Sequence, residues 1–144
     1  TDARTAFYEI DRVLDMCVRF KRPVYIEIPR DMVHVVPDAP YTYKQVVTQS
    51  DPHALAEAVA DAVEWLQRAQ RPCIVAGVEI HRFALQDDLL ALAEGSKIGI
   101  AATMLGKSVI SEYHPQYVGL YEGAMGRAEV TRFVEESDCV LLLG

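Results

Sequence analysis

Hydrophobic positions along the chain alternate between two periods, one helical and one continuous. Over Asp2 to Val18, residues Ala6, Phe7, Ile10, Val13, Leu14, Cys17 and Val18 recur at helical spacing. Arg19, Lys21 and Arg22 follow, as suits a helix C-terminus, and Pro23 stops the run. Val24–Ile28 is rich in β-branched and aromatic residues and reads as a strand closed by Pro29. Between Arg30 and Gln49 no period is sustained, and Pro37 and Pro40 punctuate an extended connection, Asp38–Tyr41. Asp51 as N-cap and Pro52 at the first helical position then open a second helix, with Leu55, Val59, Ala62, Val63 and Leu66 as its stripe.

That helix ends at Arg71-Pro72 and runs straight into the apolar strand Cys73–Gly77. A third helix is expected over Phe83–Glu94, with Leu85, Leu89, Leu92 and Ala93 inward and Gly95 as its C′ glycine. A short strand, Ile98–Ala101, precedes a loop-like stretch from Thr103 to Gly123. A fourth helix, Arg127–Glu136, should bury Val130, Phe133 and Val134, and Cys139–Leu143 reads as a strand buried on both faces. Strands alternating with helices define an α/β fold, a parallel sheet with helices on both faces. Three segments are expected: 1–33, a linker at 34–50, and an α/β unit at 51–144. A strand followed directly by Gly144, and a lone helix and strand at the start, imply a truncated chain.

Composition changes this picture mainly by exclusion. With 14 Lys+Arg against 21 Asp+Glu the net charge is −7, and no basic run exceeds two residues, which argues against nucleic acid as a partner. No apolar stretch reaches the roughly 18–20 residues that cross a bilayer, so no membrane association is expected. Cys17, Cys73 and Cys139 are odd in number and far apart, which fits a reducing, cytoplasmic setting. His34, His53, His81 and His114 share no ligand-like spacing, so no metal site is expected.

Candidate chemistry is sparse. Gly106-Lys107-Ser108 resembles the end of a phosphate loop, but Ala101 stands where that loop needs its first glycine. Gly77 follows a strand, yet Val78-Glu79-Ile80 is bulky where a pyrophosphate requires glycine. Glu79, His81 and Arg82 nevertheless lie at the carboxyl end of that strand, where open sheets bind ligands. They could hold a small carboxylate, with Arg82 as the cation, or form an interdomain salt-bridge network. Glu27, inside a strand, and Glu122, in a glycine-bearing loop, have ordinary structural explanations. No Gly-x-Ser-x-Gly is present.

Two stretches carry a family resemblance. Arg22-Pro23-Val24-Tyr25-Ile26-Glu27-Ile28-Pro29-Arg30-Asp31 is similar to the closing strand of the pyrimidine-binding domain in thiamine-diphosphate enzymes. Ala76–Phe83, Leu105–Ser108 and His114–Ala124 resemble the central domain of the indolepyruvate, phenylpyruvate and pyruvate decarboxylase branch. The resemblance implies a shortened Rossmann-like domain in a parent carboxy-lyase that removes CO2 from a 2-oxo acid, using thiamine diphosphate and Mg2+. It also implies a homo-oligomeric parent, dimer or tetramer, with the remaining domains as partners of this segment. The chain contains no Gly-Asp-Gly and no asparagine, so the diphosphate–magnesium motif of the family is absent. No catalytic, cofactor-binding or metal residue is therefore assigned, and the segment alone is expected to be inactive. Glu79 aligns with a regulatory cysteine of some yeast-type pyruvate decarboxylases, which leaves Glu79, His81 and Arg82 as effector or interdomain candidates. The alternatives are an FAD- or nucleotide-binding central domain of an acetolactate-synthase-like carboligase, or a free-standing interaction module.

Overall fold

The structure, a computed structural model, describes Asp2, residues 4–36, 41–44, Val47 and residues 49–144. The chain forms two compact units, Thr1–Gln49 and Ser50–Gly144. The expected Asp38–Pro40 connection lies outside the described residues.

In the first unit, α1 spans Ala6–Phe20 and ends on Lys21, whose φ of 51° turns the chain through the left-handed region. Its less exposed flank includes Ala6, Ile10, Val13 and Cys17 but also Asp11 and Asp15, whereas Phe7, Leu14 and Val18 stay exposed. The apolar stripe read from the sequence is therefore only half right. The expected strand at Val24–Ile28 is not laddered: residues 22–29 carry no strand assignment, and Val24, Tyr25, Ile26 and Ile28 are all exposed. A β-branched run favours extended backbone, but a strand also needs a neighbour to share its N–H and C=O groups. Among the described residues this segment has none.

The second unit is an all-parallel, four-stranded sheet in the order β3-β2-β1-β4. Its strands are β1 (Pro72–Ala76), β2 (Gly99–Ala102), β3 (Tyr117–Leu120) and β4 (Cys139–Leu143). The leading helix α2, Pro52–Arg68, begins as expected: Asp51 accepts the amides of His53 and Ala54 at 2.9 Å and Pro52 stands at the first position. Its stripe is another matter, since Leu55, Val59 and Val63 are exposed and only Leu66 reaches the core.

Period-2 alternation sorts the strands between two layers. Ile74, Ala76, Ile100 and Ala102 face Leu89 and Ala93 of α4 (Gln86–Ser96), while Cys73, Val75 and Ala101 face Val130 and Val134 of α5 (Ala128–Glu135). The expected third helix is α4, starting three residues later and ending two later, and an unexpected single turn, α3 (Glu79–Arg82), precedes it. Gly95 lies inside α4, and Lys97 rather than a glycine takes the left-handed terminus at φ 62°. Leu85 and Leu92 are exposed, contrary to expectation, because the helix shows the sheet only the Leu89–Ala93 line.

Two further expectations fail at the sheet's margins. The loop expected over Thr103–Gly123 contains β3, which pairs with β2 through an irregular register between Ile100 and Ala101. Gly119 sits there at φ 142°, and a Cβ on it would come within 2.6 Å of Val130, so α5 closes on β3 only because that side chain is missing. β4 is buried on one face only: Val140 and Leu142 are exposed, since it is an outer strand and α5 lies over β1 and β3.

The start of the sheet is pinned by one carboxylate. Asp138 accepts the amides of Gln70 at 2.7 Å and Arg71 at 2.8 Å, and its own amide donates to Arg71 O. β1 and β4 thus begin in register before their apolar residues meet. Those backbone donors hold the Asp138 carboxyl below its ordinary value. A depressed carboxyl contributes stability above its unfolded pKa and loses it as pH falls through the folded one. Asp138→Asn is therefore expected to lower the urea midpoint at pH 7, with the gap to the parent closing in acid. Equal midpoints at pH 7 would contradict the pin.

Candidate functional site

The strand order 3-2-1-4 puts the topological switch point between β1 and β4, and open sheets bind ligands beyond the carboxyl ends of such strands. Gly77 leaves β1 with its amide donating to Leu143 O at 2.7 Å, so the backbone closes tightly onto β4. Val78 alone then leads into α3, whose single turn carries Glu79, His81 and Arg82. Glu79 is placed directly over β4: a Cβ on Gly144 would lie 2.9 Å from Glu79 Oε2.

The three candidates do not act as one group. Arg82 Nη1 donates to Glu79 Oε1 at 3.1 Å, and both side chains are largely covered, 32% and 25% exposed. The cation expected to receive a carboxylate already holds one, from its own helix. His81 turns the other way. Its Nε2 lies 3.0 Å from Ser108 O and its Nδ1 lies 2.7 Å from Gln86 Nε2. A carbonyl can only accept, so Nε2 carries the proton and donates, and Nδ1 accepts from the Gln86 amide. His81 is thereby a brace between α4 and the loop after β2. Gln86 and Ser108 were not singled out from the sequence; 27 residues separate His81 from Ser108, and no spacing rule joins them.

That loop explains the Leu105-Gly106-Lys107-Ser108 stretch without phosphate. Thr103 N donates to Ala76 O at 2.9 Å, and Gly106 N donates to Thr103 O. A Cβ on Gly106 would sit 2.5 Å from Ala76 O, so glycine is required for the loop to cover the end of β1. Lys107 stays exposed, while Val109 and Ile110 return to the core.

The remaining candidates lie elsewhere. Glu122 follows β3 and opens the short 3-10 turn Gly123–Met125, two strands away from β1. Glu27 is exposed in the first unit, His34 and His53 are exposed, and His114 joins Glu94 of α4 at 3.1 Å. Cys73 is fully buried, and that burial pushes its thiol pKa up, which suits a packing role.

The residues present do not fit a diphosphate–metal group. Among the described residues no cluster of three or more His, Cys, Asp or Glu could hold a metal. The turn after β1 carries the Glu79 carboxylate, which would repel a phosphate, and Arg82 beside it is engaged.

The fold matches a known class. Residues 59–144 match the family profile "Thiamine pyrophosphate enzyme, central domain", and the chain belongs to that family. It is 34% identical over 99% of its length to an indole-3-pyruvate decarboxylase of Azospirillum brasilense. It is 31% identical over its whole length to pyruvate decarboxylase isozyme 2 of Saccharomyces cerevisiae. In each case it covers 26% of the relative, so the chain spans about a quarter of these proteins' length. Among solved structures, one assigned as a thiamin diphosphate-dependent enzyme from Mycobacterium smegmatis superposes with a TM-score of 0.60 at 28% identity. It matches 75% of this chain and 20% of that one. No helix among the described residues is long and apolar enough to cross a membrane.

Gly106→Ala is expected to cost roughly 1–3 kcal/mol, the usual penalty for forcing atoms into a packed site. Chemical denaturation checks this, and an unchanged stability would show that the loop after β2 does not rest on Ala76.

Proposed function

We propose that this chain is the scaffold segment of a non-oxidative 2-oxo-acid decarboxylase, a lyase that uses thiamine diphosphate and magnesium bound by other parts of the protein. The names of the two relatives quoted above support the decarboxylase branch over a carboligase. In this reading residues 1–33 close a pyrimidine-binding domain, 34–50 connect, and 51–144 belong to the central domain. The parent would be a cytoplasmic homo-oligomer, dimer or tetramer. The cofactor, when bound there, supplies an electron sink for the carbanion left by loss of CO2.

The observation that carries the scaffold reading is the Glu79–Arg82 pair on α3, directly after β1. A domain that bound flavin or nucleotide at the β1–β4 switch point would need glycine and orphan amides there. This one presents a carboxylate already matched to its own cation. The same pair suits an effector contact: an incoming carboxylate would compete with Glu79 for Arg82, with Gln86 and Ser108 holding His81 beside it.

Arg82→Ala in the intact protein should change the sigmoidal dependence of rate on substrate by several-fold in the half-saturation point. The maximal rate should change little. Unchanged cooperativity would sink the effector role while leaving the scaffold role standing.

A further inference from the structure

Two residues that are not glycine take left-handed backbone at the carboxyl end of the sheet, and one imidazole touches both segments. Ala84, between α3 and α4, has φ 55°, and Ser108, in the loop after β2, has φ 68°. A Cβ crowds the following carbonyl in that region, so both positions favour glycine. Ala84 closes α3 with a pair of backbone bonds: Leu85 N donates to Ile80 O at 2.9 Å, and Ala84 N donates to His81 O at 3.2 Å. Ser108 lies inside a tight turn in which Val109 N donates to Gly106 O at 3.0 Å. Its carbonyl accepts from His81 Nε2 at 3.0 Å, while Nδ1 of the same ring accepts from Gln86 at 2.7 Å.

Both segments start from the tip of β1. Gly77 and Val78 lead from the strand into α3, and the loop rests on the same strand end through Thr103 N and Ala76 O, 2.9 Å apart. Beyond that tip, His81 joins them again. The loop's ends are fixed, because Ala102, Val109 and Ile110 are buried, whereas Met104 and Leu105 are 60% and 75% exposed. A loop with buried ends and an uncovered middle can open locally while the sheet stays intact.

We propose that α3 and residues 103–108 form a strained clasp with His81 as its catch, so that the turn carrying Arg82 controls the loop carrying Met104 and Leu105. The closed clasp holds the His81 bonds to Ser108 and Gln86 and the Glu79–Arg82 pair at 3.1 Å. On opening, these groups bond to water instead, and Ala84 and Ser108 relax to ordinary backbone. Strain at the two residues works against the catch and lowers the cost of opening, which lets a change at α3 shift the balance. As regulation of the effector contact this rests on the reading given above: a carboxylate that draws Arg82 from Glu79 loosens the turn that holds the catch.

Trypsin cleavage of the intact protein at Lys107, under native conditions, reads the opening of the loop. His81→Leu removes the catch at similar bulk, and the cut should become about tenfold faster as the hydrogen bonds of the ring are lost. His81→Gln, whose amide can still donate to Ser108 O, should return the rate close to that of the parent. Ala84→Gly and Ser108→Gly relieve strain in the closed form, and each should slow the same cut roughly threefold. One rate thus moves in opposite directions, which a general loss of stability does not produce. Unchanged cleavage in His81→Leu, no rescue by His81→Gln, or faster cleavage in both glycine variants would overturn the clasp. So would equal acceleration at Lys97 and Arg127, which lie outside it. Unchanged cooperativity in Arg82→Ala would remove the effector role and leave these cleavage rates as expected, so the two failures are distinguishable.

Discussion

β1 is the strand on which the larger unit depends. It runs between β2 and β4, gives both faces to apolar side chains, and buries every residue from Cys73 to Ala76. A parallel strand in that position must satisfy every N–H and C=O through its neighbours. The register therefore has to be right at both ends. Asp138 sets it at the start, through the amides of Gln70 and Arg71. At the finish, Gly77 N meets Leu143 O and Thr103 N meets Ala76 O. Glycine at 106 and 119 then lets the loop and α5 approach as closely as that sheet demands.

The same closure uses the Gly77 and Thr103 amides at the tip of β1, which bond to β4 and to β1 itself. α3 follows at once and brings a carboxylate, not an anion-receiving nest, over Gly144.

Much of this was legible in the residues, and the failures are informative. Asp51-Pro52 announced α2, and the apolar runs at Cys73 and Cys139 announced two parallel strands, because each signal is local. β3 was hidden in a loop-like stretch because Gly119 lowers its apparent strand character while being required by Val130. Val24–Ile28 showed the opposite fault, strand composition without a ladder partner. Leu55, Val59 and Val63 formed a sound helical stripe, but periodicity states which face is apolar, not whether anything covers it. At the site, Glu79, His81 and Arg82 were found as neighbours in sequence. Their division into an ion pair and a separate brace depends on Ser108 and Gln86, which no spacing could reveal.

The central claim is that this segment positions and regulates while the cofactor is held elsewhere. Calorimetric titration of the 144-residue chain with thiamine diphosphate and Mg2+ tests it most directly. The account predicts no binding heat above dilution. Saturable binding at micromolar affinity would contradict it, because a diphosphate–metal site would then have to lie among these residues.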